Sequence, residues 1–287
     1  MINRIKPSFI RLDVTDKCNL SCWGCYRSER KKNDLSMDKI FQIIDKIKKF
    51  GVDTIIFGGG EPFFRNDLKE IIFYAEKKNI NCYIVSNGTL IKKSDLGFLK
   101  KYSPNLSISL DGYNEKTNGK SRTPFSFEGV IKNLYLLKNK NIKFNLVTTL
   151  SKMNIQYLEK IISFGKKLGV KEHHFVRFIP IGRGSVYRNW YLSDNEWYKV
   201  IERLKRDKKL LFDEKCLTGD CGAGKEFLYI LVNRDITICT RKSEKEMILG
   251  NIFSDSIEEI WRHSILLKKI KSLKKVDCLN CNLIKNQ

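Results

Sequence analysis

The sequence predicts an α/β fold built on a parallel sheet with crossover helices, and three observations carry that expectation. Strand-like and helix-like segments alternate six times from the amino terminus, the pattern of successive β/α units. Glycines and short polar residues follow one strand candidate after another, where parallel β/α folds keep their chemistry. The cysteines also gather toward the two ends of the chain, with only Cys82 between. An odd count of nine, in a chain without a secretion signal, suits metal groups better than a disulfide framework.

The units run in order. Residues 9–14, FIRLDV, alternate apolar and polar side chains as a strand with one buried face does. An amphipathic helix follows over 37–50, with Ser36 as its N-cap. Strand 54–57 leads to helix 67–78, strand 80–86 to helix 92–101, and strand 106–110 to helix 127–139. Strand 144–149 precedes a helix over 155–168 that Asn154 is expected to cap, and strand 174–179 closes the series. Cys82, inside INCYIVS, reads as plain core, since free cysteine is among the most buried residue types. Beyond the sixth unit, Ser193 to Glu196 is a capping box opening a helix to about residue 208. A hairpin-like FLYILVNRDITIC ends at Cys239, and a second box, Ser256 to Glu259, opens a helix to about residue 270.

With 287 residues the chain suits one large domain with an appendage, and the expected division is 1–190 and 191–287. MINRIKPSFIRLD holds no apolar stretch long enough for a signal peptide, and the longest apolar run, FLYILV, is far too short to span a bilayer. A cytoplasmic protein with reduced thiols is expected. The net charge of +22, from 54 basic and 32 acidic residues, raises the question of nucleic acid. Yet the lysines scatter as pairs such as Lys48-Lys49, Lys77-Lys78 and Lys166-Lys167, and no aromatic-rich nucleic-acid motif accompanies them. A solvated lysine-rich surface is the better reading, with an attraction for an acidic peptide or tRNA left open.

Chemistry concentrates after the first strand. Cys18, Cys22 and Cys25 form C-x3-C-x2-C in VTDKCNLSCWGCY. Three thiolates on one short loop can hold three irons of a cubane cluster and leave the fourth iron open to a small molecule. The competing reading is a zinc loop, because C-x2-C elements are common in zinc sites. The second strand ends in Gly58-Gly59-Gly60-Glu61-Pro62, where glycines admit close backbone approach and a carboxylate can accept bonds from an ammonium group. Ser86 and Asn87 end the third strand, and Ser109 and Asp111 the fourth; such groups suit a ribose and a carboxylate better than a core. His173 and His174 have neither ligand spacing nor an acidic partner in the pattern and read as structural.

The cysteine loop and GGGEP, one β/α unit apart, resemble the signature of the radical S-adenosylmethionine (radical SAM) enzymes. That resemblance implies a partial (β/α)6 barrel and a [4Fe-4S] cluster whose open iron binds the amino and carboxylate groups of S-adenosyl-L-methionine. It also implies that Gly59, Gly60 and Glu61 bind the methionine amino group, and that Ser86, Asn87, Ser109 and Asp111 line the cofactor pocket. Arg122 would pair the methionine carboxylate, for which a bidentate fork is the right chemistry. The stretch from Arg177 to Gly184 resembles the one flanking the adenine. One departure stands out: the family usually has an aromatic residue just before the last cluster cysteine, and here Gly24 is there between Trp23 and Tyr26. Either aromatic is then a candidate for the adenine contact.

The carboxyl-terminal third, CGAG…C…LGNIF…IEEIW…CxxC, resembles the SPASM/twitch extension of the same enzymes, a small α+β domain holding auxiliary clusters. Two closed clusters need more cysteines than the five present, so one auxiliary cluster is expected, two [4Fe-4S] clusters in all. Its expected ligands are Cys221, Cys239, Cys278 and Cys281, with Cys216 a spare; a zinc ribbon is the competing reading.

The function this implies is reductive cleavage of S-adenosylmethionine to a 5′-deoxyadenosyl radical that oxidises or crosslinks a substrate, foremost a ribosomally made peptide. Alternatives are a small-molecule radical SAM dehydrogenase or, from another class, a nucleic-acid-associated iron–sulfur protein. An electron donor such as flavodoxin or ferredoxin is expected. The first strand begins close to the start of the chain, so no leader-peptide-binding domain is expected ahead of it. A peptide substrate then calls for a separate leader-peptide-binding protein.

Overall fold

The structure, a computed structural model, describes residues 5–27, 34–212, 222–239 and 247–273. The first β/α units are β1 (Phe9–Thr15), α1 (Met37–Lys49), β2 (Thr54–Gly59), α2 (Leu68–Lys77), β3 (Asn81–Ser86) and α3 (Leu96–Tyr102). Next come β4 (Asn105–Ser109), the short α4 (Glu115–Asn118), α5 (Ser126–Asn139), β5 (Asn145–Leu150), α6 (Leu158–Leu168) and β6 (His173–Arg177). The chain continues with α7 (Asp194–Leu204), β7 (Leu210–Phe212), β8 (Phe227–Ile230), β9 (Asp235–Thr237), β10 (Ile248–Asn251), α8 (Ile257–His263) and α9 (Ile265–Ser272). The six expected β/α units are thus present in order.

Two compact units divide the chain. One comprises Met1–Cys18, Arg30–Ile84 and Gly219–Gln287, the other Asn19–Glu29 and Val85–Thr218. In the first, β1 lies between parallel neighbours, pairing Leu12 with Phe57 of β2 and Ile10 with Leu228 of β8. β3 continues the sheet beyond β2 in parallel, while β9 and β10 follow β8 as an antiparallel meander. The pairing of β8 with β1 was not legible in the sequence, nor was β10. It gives β1 a ladder on both sides, where an open barrel would leave an exposed row of backbone groups. α1 covers the sheet with Ile40, Ile43, Ile44 and Ile47, all buried at helical spacing. Each such side chain contributes about 1.5–3 kcal/mol of burial.

In the second unit β4, β5, β6 and β7 run parallel. Its core gathers Leu150, Ile161, Phe175, Trp197, Ile201 and Leu204 around α6 and α7. His173 opens β6 inside this unit at 2 % exposure. The Thr148 hydroxyl donates to the Leu110 carbonyl at 2.5 Å, so it accepts from His173 Nε2 at 2.8 Å. Nδ1 then carries a lone pair with no partner, and burial pushes the imidazole down to about 3.

Some boundaries differ from expectation for local reasons. α3 begins at Leu96 rather than at residue 92, because Lys93–Asp95 form a 3-10 turn in which the Asp95 carboxylate accepts from Lys92 N. Asn154 does not cap α6; its amide donates to the carbonyls of Asp111 and Thr149, at 2.9 Å each. The single helix expected from Ser256 is broken at Ser264, whose hydroxyl caps α9. The box at Ser193 forms as expected, with Glu196 answering the Ser193 amide at 2.7 Å. Cys82 is buried at the heart of β3, and burial raises its thiol far above the ordinary range, as a core cysteine requires.

Candidate functional site

Within the first unit the site begins where β1 runs into the cysteine loop. The Thr15 hydroxyl donates to Asp34 at 2.5 Å and accepts from the Lys17 amide at 3.0 Å, while Lys17 Nζ lies 2.7 Å from the other Asp34 oxygen. Burial would raise the Asp34 carboxyl, but the bonds from Lys17 and Thr15 outweigh it and hold the group below its usual range. Facing this root, Gly60 N donates to the Thr15 carbonyl at 2.7 Å and Glu61 N to the Lys17 carbonyl at 2.8 Å. Gly59 sits at φ +113°, and a Cβ on Gly60 would overlap the Lys17 carbonyl oxygen. The glycines are therefore required for backbone contact directly ahead of Cys18. Glu61 is fully buried, and one carboxylate oxygen accepts from Phe63 N at 3.1 Å.

Within the second unit Cys22 and Cys25 are half-buried on a loop fixed by backbone bonds. Ser21 N donates to the Thr123 hydroxyl at 2.6 Å, and Gly24 N to the Ser121 carbonyl at 3.2 Å. The Thr123 hydroxyl also lies 3.9 Å from Cys22 Sγ as a donor. Asn87 donates to Asn19 at 3.0 Å and accepts from Thr89, and Asn19 donates to the Thr89 hydroxyl, so the end of β3 holds the loop. Ser86 accepts from Gly88 N at 2.9 Å, a turn that bends the chain after β3. Ser109 ends β4 opposite Val147 of β5.

Asp111 and Arg122 meet. Arg122 Nε lies 2.8 Å from one Asp111 oxygen, off the line of a hydrogen bond, and Nη2 donates to the other at 3.3 Å. Asp111 also accepts from the Ser121 hydroxyl at 3.0 Å and from Thr149 N at 2.8 Å. Burial works against the Arg122 charge, but Asp111, then Cys22, with Cys25 adding less, more than offsets it and raises the guanidinium above its ordinary value. A fork expected to face a ligand carboxylate thus already carries a protein carboxylate. That pairing presents the remaining guanidinium edge in a fixed orientation.

Gly24 has a structural cause that the sequence did not reveal. A Cβ there would come within 3.2 Å of the Phe178 ring, which also presses on Gly184. Phe178, just past β6, takes the space that an aromatic at position 24 would fill. It was missed; the signal was the glycine pair itself. Gly184 N donates to the Cys25 carbonyl and Arg183 N to the Arg27 carbonyl, each at 3.2 Å. Trp23 and Tyr26 are both exposed, and Trp23 meets Tyr187 edge-on with ring centroids 6.4 Å apart.

Of the expected auxiliary ligands, Cys239 is described: half-buried after β9, its amide donates to the Thr237 hydroxyl at 3.4 Å. Cys216, Cys221, Cys278 and Cys281 lie outside the described residues. Among the described residues no three His, Cys, Asp or Glu side chains gather tightly enough for a single metal ion. The chemistry of the residues themselves suits an iron–sulfur cluster: three cysteine thiols follow one another on the first loop, glycine backbone lies against its root in the first unit, and in the second the Arg122 charge is favoured by Cys22 and Cys25. No helix among the described residues is long and apolar enough to cross a membrane.

Comparison with known proteins agrees with this geometry. Residues 12–165 match the family described as the radical SAM superfamily, and residues 221–282 match SPASM, an iron–sulfur cluster-binding domain. A curated relative, the Fe-coproporphyrin III synthase of Methanosarcina barkeri, is 32 % identical over 234 residues, covering 78 % of this chain and 58 % of its own length. The mycofactocin maturase MftC of Mycolicibacterium smegmatis is 26 % identical over 303 residues, covering 96 % of this chain and 75 % of its own. Among solved structures, Streptococcus suis SuiB bound to the precursor peptide SuiA superposes with a TM-score of 0.80 at 18 % identity, over 96 % of this chain and 70 % of that one. The fold is therefore the radical SAM α/β barrel fold with a carboxyl-terminal SPASM region.

Proposed function

The chain belongs to the radical SAM superfamily and carries a SPASM iron–sulfur domain, and from that premise we propose that it is a maturase that oxidises or crosslinks a ribosomally made peptide. Residues 1–190 are assigned to the barrel and 191–287 to the auxiliary-cluster domain. Cys18, Cys22 and Cys25 hold the first [4Fe-4S] cluster. Bound there, the cluster supplies the electron that cleaves S-adenosylmethionine to methionine and a 5′-deoxyadenosyl radical, which takes a hydrogen atom from the substrate.

The protein's own residues bind and orient. Gly59 and Gly60 bring backbone against the loop root, and Glu61, fixed by Phe63 N, presents a buried carboxylate to the methionine ammonium. Arg122, oriented by Asp111, receives the methionine carboxylate. Ser86, Asn87, Ser109 and Asp111 shape the pocket wall, and Tyr26 or Trp23 covers the adenine. One auxiliary cluster rests on Cys221, Cys239, Cys278 and Cys281, with Cys216 a spare. A flavodoxin or ferredoxin supplies electrons, a separate protein binds the peptide leader, and the reducing cytoplasm keeps the thiols available.

The observation that carries the reading is the three-thiol loop stitched to the GGGE backbone, together with a SPASM domain. The peptide class is supported by likeness to a maturase and, at the level of fold, to SuiB with its precursor peptide. A second reading, action on a small molecule, rests on the likeness to Fe-coproporphyrin III synthase. The test is to incubate the reconstituted enzyme, dithionite and S-adenosylmethionine with a candidate precursor peptide, and separately with an iron tetrapyrrole precursor of Fe-coproporphyrin III. A peptide lighter by about 2 Da for each crosslink supports the maturase, one hydrogen being taken as an atom by the 5′-deoxyadenosyl radical and the other leaving as a proton while its electron passes to an acceptor such as the auxiliary cluster. Turnover of the tetrapyrrole alone overturns it.

A further inference from the structure

We propose that Arg65 is a positioning residue for the iron–sulfur loop, clamping both roots of the loop at a fixed span. The proposal rests on the reading that this loop holds the first cluster. The loop leaves the sheet at the end of β1 and returns at the start of α1, and the three cysteines lie between those points. Arg65 stands just past the Pro62–Phe64 turn that closes the GGGEP segment. Its side chain is 6 % exposed. Nη1 donates to the Val14 carbonyl at 2.9 Å and to the Leu35 carbonyl at 2.8 Å. One planar group therefore joins the last stretch of β1 to the residue before the Ser36 cap of α1. Thr15 and Asp34, one residue inward on each side, pair as an antiparallel bridge.

Asp67 shows that this guanidinium is held on purpose. It occupies the N-cap position of α2, where aspartate ordinarily bonds the free helix amides, yet its side chain makes no capping bond. Both oxygens go to Arg65 instead, at 2.8 Å from Nε and 2.6 Å from Nη2. A favourable local bond is given up in exchange for a fork that fixes the guanidinium plane. Lysine has the charge but not the plane, so it cannot bond Asp67 on one edge and reach both carbonyls from the other. The same strand end also receives Gly60 N and Glu61 N at the Thr15 and Lys17 carbonyls. The GGGEPFFR segment thus reaches both ends of the loop, and Arg65 reaches the far end.

The test uses the full chain as wild type, Arg65→Lys and Asp67→Asn. Amide hydrogen exchange is read first on cluster-free protein. Arg65→Lys is expected to speed exchange over residues 15–35 by about tenfold or more, with α6 unchanged and Asp67→Asn intermediate. After anaerobic reconstitution, both variants should keep the wild-type iron content. Their reduced electron paramagnetic resonance signal should shift only in part on adding S-adenosylmethionine, a mixture of loop geometries where wild type shows one. Loop exchange and spectra equal to wild type overturn the proposal. So does faster exchange spread evenly over all segments, which would mean that Arg65 serves global stability alone. If Arg65→Lys does not fold, Asp67→Asn, which keeps the guanidinium, decides by the same two readouts. Wild-type protein that takes up no iron would sink the cluster reading, while loop exchange still tests the clamp.

Discussion

Two buried arginines, one in each unit and each facing an aspartate, are built in opposite ways. At Arg65 the arginine is the hub: Asp67 orients it and its remaining donors bond main-chain carbonyls of two chain segments. At Arg122 the aspartate is the hub: Asp111 collects Arg122, the Ser121 hydroxyl and Thr149 N. Asp67 is partly exposed, whereas Asp111 is buried with its partner. Water can therefore replace Asp67, but nothing replaces Asp111. The first arrangement keeps its stability when its acid is lost, although the plane of its base loosens; the second depends on its acid for stability.

The largest effect expected from this contrast is at Asp111. Asp111→Ala leaves the Arg122 charge buried without compensation, which costs about 3–5 kcal/mol. Urea unfolding of cluster-free protein measures it. Asp111→Ala with Arg122→Ala should recover much of the loss, because the stranded charge goes with the partner. Equal stability of Asp111→Ala and Asp67→Ala would erase the distinction between the two arginines.

Next in size is a pH effect in the same unit as Arg122. His173 is buried neutral, with its ionisation pushed down from 6.5 to about 3. A depressed value means that folding is undiminished above pH 6.5 and is opposed increasingly as pH falls toward 3, where the unfolded chain binds a proton that the folded one refuses. The limiting slope is about 1.4 kcal/mol per pH unit. His173→Gln should flatten that acid limb in unfolding curves measured across the window, and an unchanged slope would mean that other groups carry it.

The site was unevenly legible. The three cysteines and GGGE were readable because a short spacing of special residue types is local in sequence. The six β/α units were readable because their apolar periodicity is local too. The pairing of β8 with β1 joins residues more than two hundred positions apart, and no periodicity encodes such a partner. Arg122 was anticipated as a fork, but Asp111 as its holder was not, since only the fold brings the end of β4 onto the loop after α4. Asn154 misled for a related reason: asparagine before a helix reads as a cap, yet its amide serves two strand-end carbonyls.

Smaller effects sharpen the comparison at the level of ligand binding. Glu61→Ala should weaken S-adenosylmethionine affinity about tenfold or more with iron content unchanged, because a buried charge-assisted bond is lost. Equilibrium dialysis against labelled cofactor reads it, and unaltered affinity would leave GGGEP as a turn only. Gly24→Ala forces a methyl group to within 3.2 Å of the Phe178 ring, which must shift by a few tenths of an ångström. It should lower that affinity by less than Glu61→Ala does. In the extension, Cys239→Ala should lose about four irons while Cys216→Ala stays near wild type.

The central claim, that the first loop holds a cluster that cleaves S-adenosylmethionine, is tested most directly by one measurement. The protein is reconstituted anaerobically with iron and sulfide, reduced with dithionite and given S-adenosylmethionine, and 5′-deoxyadenosine is quantified by chromatography. The account predicts 5′-deoxyadenosine from wild type and none from the variant with Cys18, Cys22 and Cys25 all changed to alanine. Stoichiometric zinc without labile sulfide, and no 5′-deoxyadenosine from wild type, would contradict it.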